Sequence, residues 1–264
     1  MKRLLFIITA LFLSHLLTYA QDDTTQMTAE QMSKKRQDPV SGLRSIFLQD
    51  ILVPIGEGNA NSFSIQPVWP FKISKGIKLI TYTIIPFQWV PPLYHTGNSI
   101  SGLGNILFNG YFAPTHPLGK FTVGIGPAIQ IPTRTAAGLA SNRVSLGPTG
   151  LLNYAGNVFS SGIVLQHYWS LGGTGANKVN EFSAQYFVYY NLPKAWFLES
   201  NATIIANWLA SSGNQWTVPL GGGPGKTFKL GKLFYVADAQ LFYNAAKPEL
   251  VGNWQAVFQI QIIL

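Results

Sequence analysis

From Trp196 to Trp208 the chain alternates. Trp196, Leu198, Ser200, Ala202, Ile204, Ala206 and Trp208 form one face, while Glu199, Asn201, Thr203 and Asn207 fall on the other. A period of two is the mark of a β-strand whose faces meet different surroundings. The tryptophan at each end of the oily face constrains the fold further. Such rings gather at the two interfaces of a membrane, and about ten residues of tilted strand cross the hydrocarbon between them. The oily face is therefore expected outside, against lipid, and the polar face inside. A water-soluble barrel has the reverse arrangement.

The pattern recurs. In Trp254–Leu264 one face reads Trp, Ala, Phe, Ile, Ile, Leu, and the other reads Gln, Val, Gln, Gln, Ile. In 181–192, Phe182, Ala184, Tyr186, Val188 and Tyr190 oppose Glu181, Ser183, Gln185, Phe187, Tyr189 and Asn191. Twelve such segments are read, at about 45–54, 62–71, 77–89, 100–112, 120–132, 143–154, 158–170, 181–192, 195–208, 214–222, 232–244 and 253–264, with ten or fourteen as alternatives. Charged residues are only 11% of the chain, against roughly 25% in soluble domains. Beyond the N-terminus no eighteen-residue apolar run exists, so membrane-spanning helices are excluded. Lipid offers the backbone no partners, which leaves a closed sheet. The expected fold is all-β: a transmembrane antiparallel up-and-down β-barrel of about twelve strands, with a backbone diameter of roughly 24 Å.

Residues 1–20 read as a signal peptide. Lys2 and Arg3 precede an apolar stretch, and Thr18-Tyr19-Ala20 supplies small residues for cleavage before Gln21. Residues 21–41 are a polar N-terminal leader able to hold one short helix, either flexible or folded into the lumen as a plug. Residues 42–264 are the barrel. Export past one membrane into a barrel implies the bacterial outer membrane, with outer-membrane lipids and the barrel-assembly machinery as partners. An even strand count puts both termini at the periplasmic end. The turns there are short (Tyr154–Asn157, Leu192–Lys194, Leu230–Lys232), and the opposite loops, such as Val90–Ser99, Thr133–Asn142 and Gly172–Asn180, are longer. Lys72, Lys75, Lys120, Lys194, Lys229 and Lys232 cluster near the turn end as a solvated rim, with contact to lipid phosphates as the sharper alternative. These lysines are scattered singly, so the formal net charge of +8 does not mark a nucleic-acid partner.

Several strings carry a family resemblance: Gln49-Asp50-Ile51-Leu52-Val53-Pro54-Ile55-Gly56, Ile65-Gln66-Pro67-Val68-Trp69-Pro70-Phe71, Ser101-Gly102-Leu103-Gly104-Asn105-Ile106, Trp216-Thr217-Val218-Pro219-Leu220-Gly221-Gly222-Gly223-Pro224-Gly225-Lys226 and Gln240-Leu241-Phe242-Tyr243-Asn244. Together they resemble bacterial outer-membrane barrels catalogued as candidate transporters. That family is often mislabelled neuromedin U and is related to barrels encoded with phenol meta-cleavage pathways. The resemblance implies a barrel in the outer membrane and, more loosely, transport. Asn105 stands where the family commonly has an acid, and Leu264 where such barrels usually end in Phe.

Catalytic readings find little support. Gly222-Gly223-Pro224-Gly225-Lys226-Thr227 lacks the earlier glycine of a phosphate loop, since that position is Leu220, and it reads better as a glycine-rich bend that lets strands approach or curve. His95 and His116 fall at opposite ends of the barrel. His167 faces lipid near the outer rim, with Leu165 and Trp169 two residues away where a serine nucleophile would be needed. No catalytic residue, metal site or cofactor is expected. Glu199 and Asp238 are the inward acids deepest in strands, with Arg143, Lys78 and Gln240 as counterparts. The lumen-lining candidates are Lys78, Tyr82, Asn105, Asn109, Arg143, Gln185, Tyr189, Glu199, Asn201, Asp238, Gln240 and Gln259. Amides interleaved with phenols suit a passive channel or transporter for small, aromatic or weakly polar solutes. The alternative is a structural or adhesion-type barrel with a filled lumen.

Overall fold

The computed structural model describes residues 26–56, 58–92, 97–173 and 178–264. The signal-peptide reading, the first residues of the leader and His95 lie outside the described residues. The strands are β1 (Ser45–Ile55), β2 (Gly58–Lys72), β3 (Ile77–Val90), β4 (Ile100–Leu103), β5 (Ile106–Pro114), β6 (Phe121–Ile131), β7 (Arg143–Ala155), β8 (Phe159–Gly173), β9 (Asn180–Asn191), β10 (Trp196–Asn207), β11 (Trp216–Leu230), β12 (Leu233–Ala246) and β13 (Trp254–Ile263). Neighbours pair antiparallel, and β1 closes onto β13 from Ser45↔Ile263 to Leu52↔Ala256. Closure leaves no sheet edge exposed to hydrocarbon.

β4 and β5 lie on the same side of β3, against Phe87–Val90 and Ile77–Ile84 respectively. They are one stave broken at Gly104-Asn105, so the barrel has twelve staves and thirteen strand segments. The loop before β7 stitches the break. Thr135 Oγ1 accepts the Leu103 N–H at 3.0 Å, Thr133 Oγ1 donates to the Gly104 carbonyl at 2.8 Å, and Asn105 Nδ2 donates to the Ser141 carbonyl at 2.7 Å. Gly102 holds φ at 151°, and a Cβ there would stand 2.1 Å from Thr135 Oγ1. Only glycine fits this seam.

The other departure from the sequence reading is β11. The segment expected at 214–222 continues to Leu230. Its glycines lie where neighbouring backbones press close: a Cβ on Gly223 would meet the Ala239 carbonyl oxygen at 1.8 Å, and one on Gly222 the Glu199 oxygen at 2.4 Å. The run is therefore extended sheet, and β11 carries it through the place where a phosphate loop would begin its helix.

The faces divide as the alternation predicts. Trp196, Trp208, Trp254, Leu241, Tyr243 and Phe258 are exposed on the outer wall, whereas Gln66, Asn109, Asn153, Gln240, Gln259 and Gln261 are buried inside. Asp50 is an exception. It pairs with Phe63 and Phe258 on the lipid-facing side, where Asn61 Nδ2 donates to it at 2.7 Å.

Residues 26–44 sit within the end of the barrel where β1 begins and β13 ends. Thr28 caps a short helix, α1 (Ala29–Lys35), reciprocally with Gln31: Thr28 Oγ1 accepts the Gln31 N–H at 3.2 Å, and Gln31 Oε1 accepts the Thr28 N–H at 2.8 Å. Met32, Val40 and Leu43 join one core cluster with Tyr111, Phe187, Tyr189, Phe197, Phe234 and Val236 of the inner wall. Glu30 accepts the Lys194 backbone N–H at 2.8 Å, tying α1 to the β9–β10 turn.

Candidate functional site

Two regions occupy the lumen. In the first, the leader is seated on the wall. The Arg36 guanidinium carbon stands 4.3 Å from the Phe197 ring centre and 5.1 Å from that of Tyr189. Its Nη2 is 3.9 Å from Glu199 Oε2, with both side chains almost wholly shielded from solvent. Asn201 Nδ2 donates to the other Glu199 oxygen at 3.0 Å. Asp238 accepts from Gln240 at 2.9 Å and Gln259 at 3.3 Å. Gln37 and Asn191 exchange two amide hydrogen bonds of 2.8 and 3.2 Å. Asp38 Oδ1 accepts from Val40 N–H and Thr122 Oγ1, each at 3.0 Å. Burial pushes the Asp38 carboxyl above its ordinary value, against the opposing pull of those two donors and of the Lys78 ammonium.

The second region is a cavity of about 450 Å³. Its floor is Arg36–Asp38 with Leu43, and its walls rise through Tyr82, Asn109, Gln185 and Gln259 to Glu181 near the loop end. Side chains on the wall bond mainly to one another. Tyr82 donates to Gln66, which donates to Gln49 at 3.1 Å, and Gln49 donates to Gln259 at 3.0 Å. Tyr168 donates to Asn109 and Gln166 at 3.3 and 3.2 Å. Gln185 donates to Asn201 at 2.9 Å. Apolar positions, including Phe47, Ile84, Leu107, Leu151, Val164 and Ile205, interrupt this belt. The result is a pocket of small-molecule size with fixed polar groups set in apolar wall.

Placed against the sequence-derived candidates, Tyr82, Asn109, Gln185, Tyr189, Asn201 and Gln259 line the cavity. Glu199, Asp238 and Gln240 lie beside and below it in the leader's seat, and Lys78 acts on Asp38 there. Asn105 is buried under the loop that stitches β4 to β5, and Arg143 opens β7 at the loop end. Of the counterparts assigned to the inward acids, Gln240 does hold Asp238, whereas the cation beside Glu199 comes from the leader. Glu199 faces Arg36 of the leader, and Asp238 is held by Gln240 and Gln259. A polar leader gives no sign that its arginine belongs 163 positions further on. Glu181 was visible in the alternation but not singled out. His167 is on the outer wall, stacked on Trp169 with ring centres 4.0 Å apart, and its Nε2 is 2.8 Å from Asn180 Oδ1. Among the described residues no group of three or more metal-ligating side chains converges.

Comparison with known proteins places this geometry. Residues 53–254 match the family described as "Putative MetA-pathway of phenol degradation". An outer-membrane channel from Pseudomonas putida F1 superposes with a TM-score of 0.63 at 12% identity, covering 84% of this chain and 94% of that one. The NanC porin gives 0.50 at 12% identity, covering 83% and 98%. The CymD monoaromatic hydrocarbon channel gives 0.45 at 8%, covering 88% and 92%. No curated protein matches the chain.

Proposed function

Taking as premise that the chain belongs to this phenol-degradation family of outer-membrane barrels, we propose that it is a passive outer-membrane channel for small, aromatic or weakly polar solutes. The observation that carries the reading is the cavity of about 450 Å³ within the lumen, walled by amides and phenols set among aliphatic side chains. A wall of that kind matches a ring with one or two polar groups, and it excludes any folded protein. Solute enters from the loop end, and the leader sets the limit at the other. The chain is held by outer-membrane lipids through its aromatic belts, and the barrel-assembly machinery inserts it, with both termini periplasmic.

Planar-bilayer recording tests the proposal. Folded protein gives discrete conductance steps, and a swelling assay across sugars, nucleosides and small aromatics favours the aromatics. Silence from barrels that retain heat-modifiable mobility on gels defeats it. The filled-lumen reading keeps one observation in its favour, the leader packed into the terminal half with Met32 and Val40 fully buried.

A further inference from the structure

Four carboxylates point into the barrel among the described residues: Asp38, Glu181, Glu199 and Asp238. Three are engaged. Asp38 has the Val40 N–H and Thr122, Glu199 has Arg36 and Asn201, and Asp238 has Gln240 and Gln259. Glu181 differs. It is the second residue of β9, paired with Tyr168 on one side and Asn207 on the other, and its side chain lines the cavity. Among the described residues no hydrogen bond reaches its carboxylate and no cation lies within ion-pair distance. The neighbouring Tyr168 hydroxyl spends its proton on Asn109 and Gln166.

We propose that the cavity binds a small apolar ring bearing a hydrogen-bond donor, a protonated amine above all, and that Glu181 selects it. The inference deepens the channel reading and rests on it. A half-shielded carboxylate in a wall of amides and aliphatic groups has surrendered part of its hydration and gained nothing in exchange. An ammonium on the solute supplies a charge-assisted hydrogen bond there, a hydroxyl supplies a weaker one, and a carboxylate on the solute is repelled. Ile205 flanks Glu181 on the next strand, with its partner Ser183 two residues along β9, and Val164 and Leu107 also line the cavity as apolar ground for a ring. Glu181 is thus a specificity-determining residue at the loop-side mouth.

The test uses the full folded barrel in detergent and three probes with one ring: benzylamine, benzyl alcohol and benzoate. Calorimetric titration of the unaltered protein gives affinities in that order. Glu181→Gln keeps the side chain's size and lowers benzylamine affinity about tenfold, while benzyl alcohol changes by no more than about twofold. Retained heat-modifiability of the variant establishes that it folds. Equal binding of benzylamine and benzoate, or a Glu181→Gln variant that binds benzylamine unchanged, overturns the selection and leaves the lumen as a path. Failure of all three probes to bind overturns the site, and bilayer silence alongside it would remove the channel reading as well.

Discussion

Toward the termini the lumen is packed; toward the loops it is open. The wall is the same in kind at both levels, with inward amides, phenols and acids separated by aliphatic side chains. The leader makes the difference. Met32, Val40 and Leu43 give the lower wall apolar surface to bury against, and Arg36 brings a charge of the sign that Glu199 needs. Among the described residues no segment of that kind brings a cation to Glu181 in the upper cavity. Acids inside a barrel are therefore neither structural nor functional by residue type. Glu199 is bound into the structure because its cation is covalently part of the chain, whereas Glu181 is available to a ligand because its own is not.

Removing the leader is the strongest way to break this contrast. A chain lacking residues 21–43 should show single-channel conductance raised severalfold, since the packed half then matches the open one. Unchanged conductance would mean that the seated leader does not narrow the path. Arg36→Ala comes next. It strips the cation from a shielded carboxylate, a loss worth about 3–5 kcal/mol where the pair is well formed. Here the contact is 3.9 Å, and Arg36 Nε and Nη2 have no hydrogen-bond partner, so the lower end applies. Trypsin cleavage after Lys34 and Lys35 reads the release, becoming fast in the variant. Adding Glu199→Gln to Arg36→Ala should restore much of the protection, because position 199 then carries no uncompensated charge.

The barrel was largely legible in the sequence and the leader was not, for a physical reason. Strands such as Asn180–Asn191 and Trp254–Ile263 declare themselves because lipid and lumen impose opposite demands on successive residues. That rule is local. It closed one segment too early, at 222, although the glycines of Gly221-Gly222-Gly223-Pro224-Gly225 let the backbones of Glu199 and Ala239 approach within a strand that runs on to Leu230. It also failed at Gly104-Asn105, where a stave breaks and borrows its hydrogen bonds from a loop. The leader's seat depends on contacts between Arg36 and Glu199 and between Gln37 and Asn191, which local periodicity does not encode. Glu181 was legible as inward; what set it apart was its lack of a partner among the described residues, a property of three-dimensional neighbours only.

Asp38 sharpens the comparison most finely, because it is an acid of the leader itself. Burial raises its folded pKa above the ordinary 3.8, so the docked leader holds the proton more tightly than the released one. Docking is then strongest below 3.8 and weakens as pH rises through the interval up to the raised value. Above that interval the penalty is constant. Asp38→Asn removes it while keeping an Oδ1 to accept from Val40 and Thr122, at the loss of the attraction to Lys78. The two changes oppose, so leader protection at pH 7 should shift by no more than about 0.5 kcal/mol. The tightening of the unaltered protein on acidification should diminish in the variant. Trypsin loses activity in acid, so pepsin digestion from below pH 3.8 upward is the suitable probe. Equal pH dependence in both proteins would place the titrating group elsewhere than Asp38.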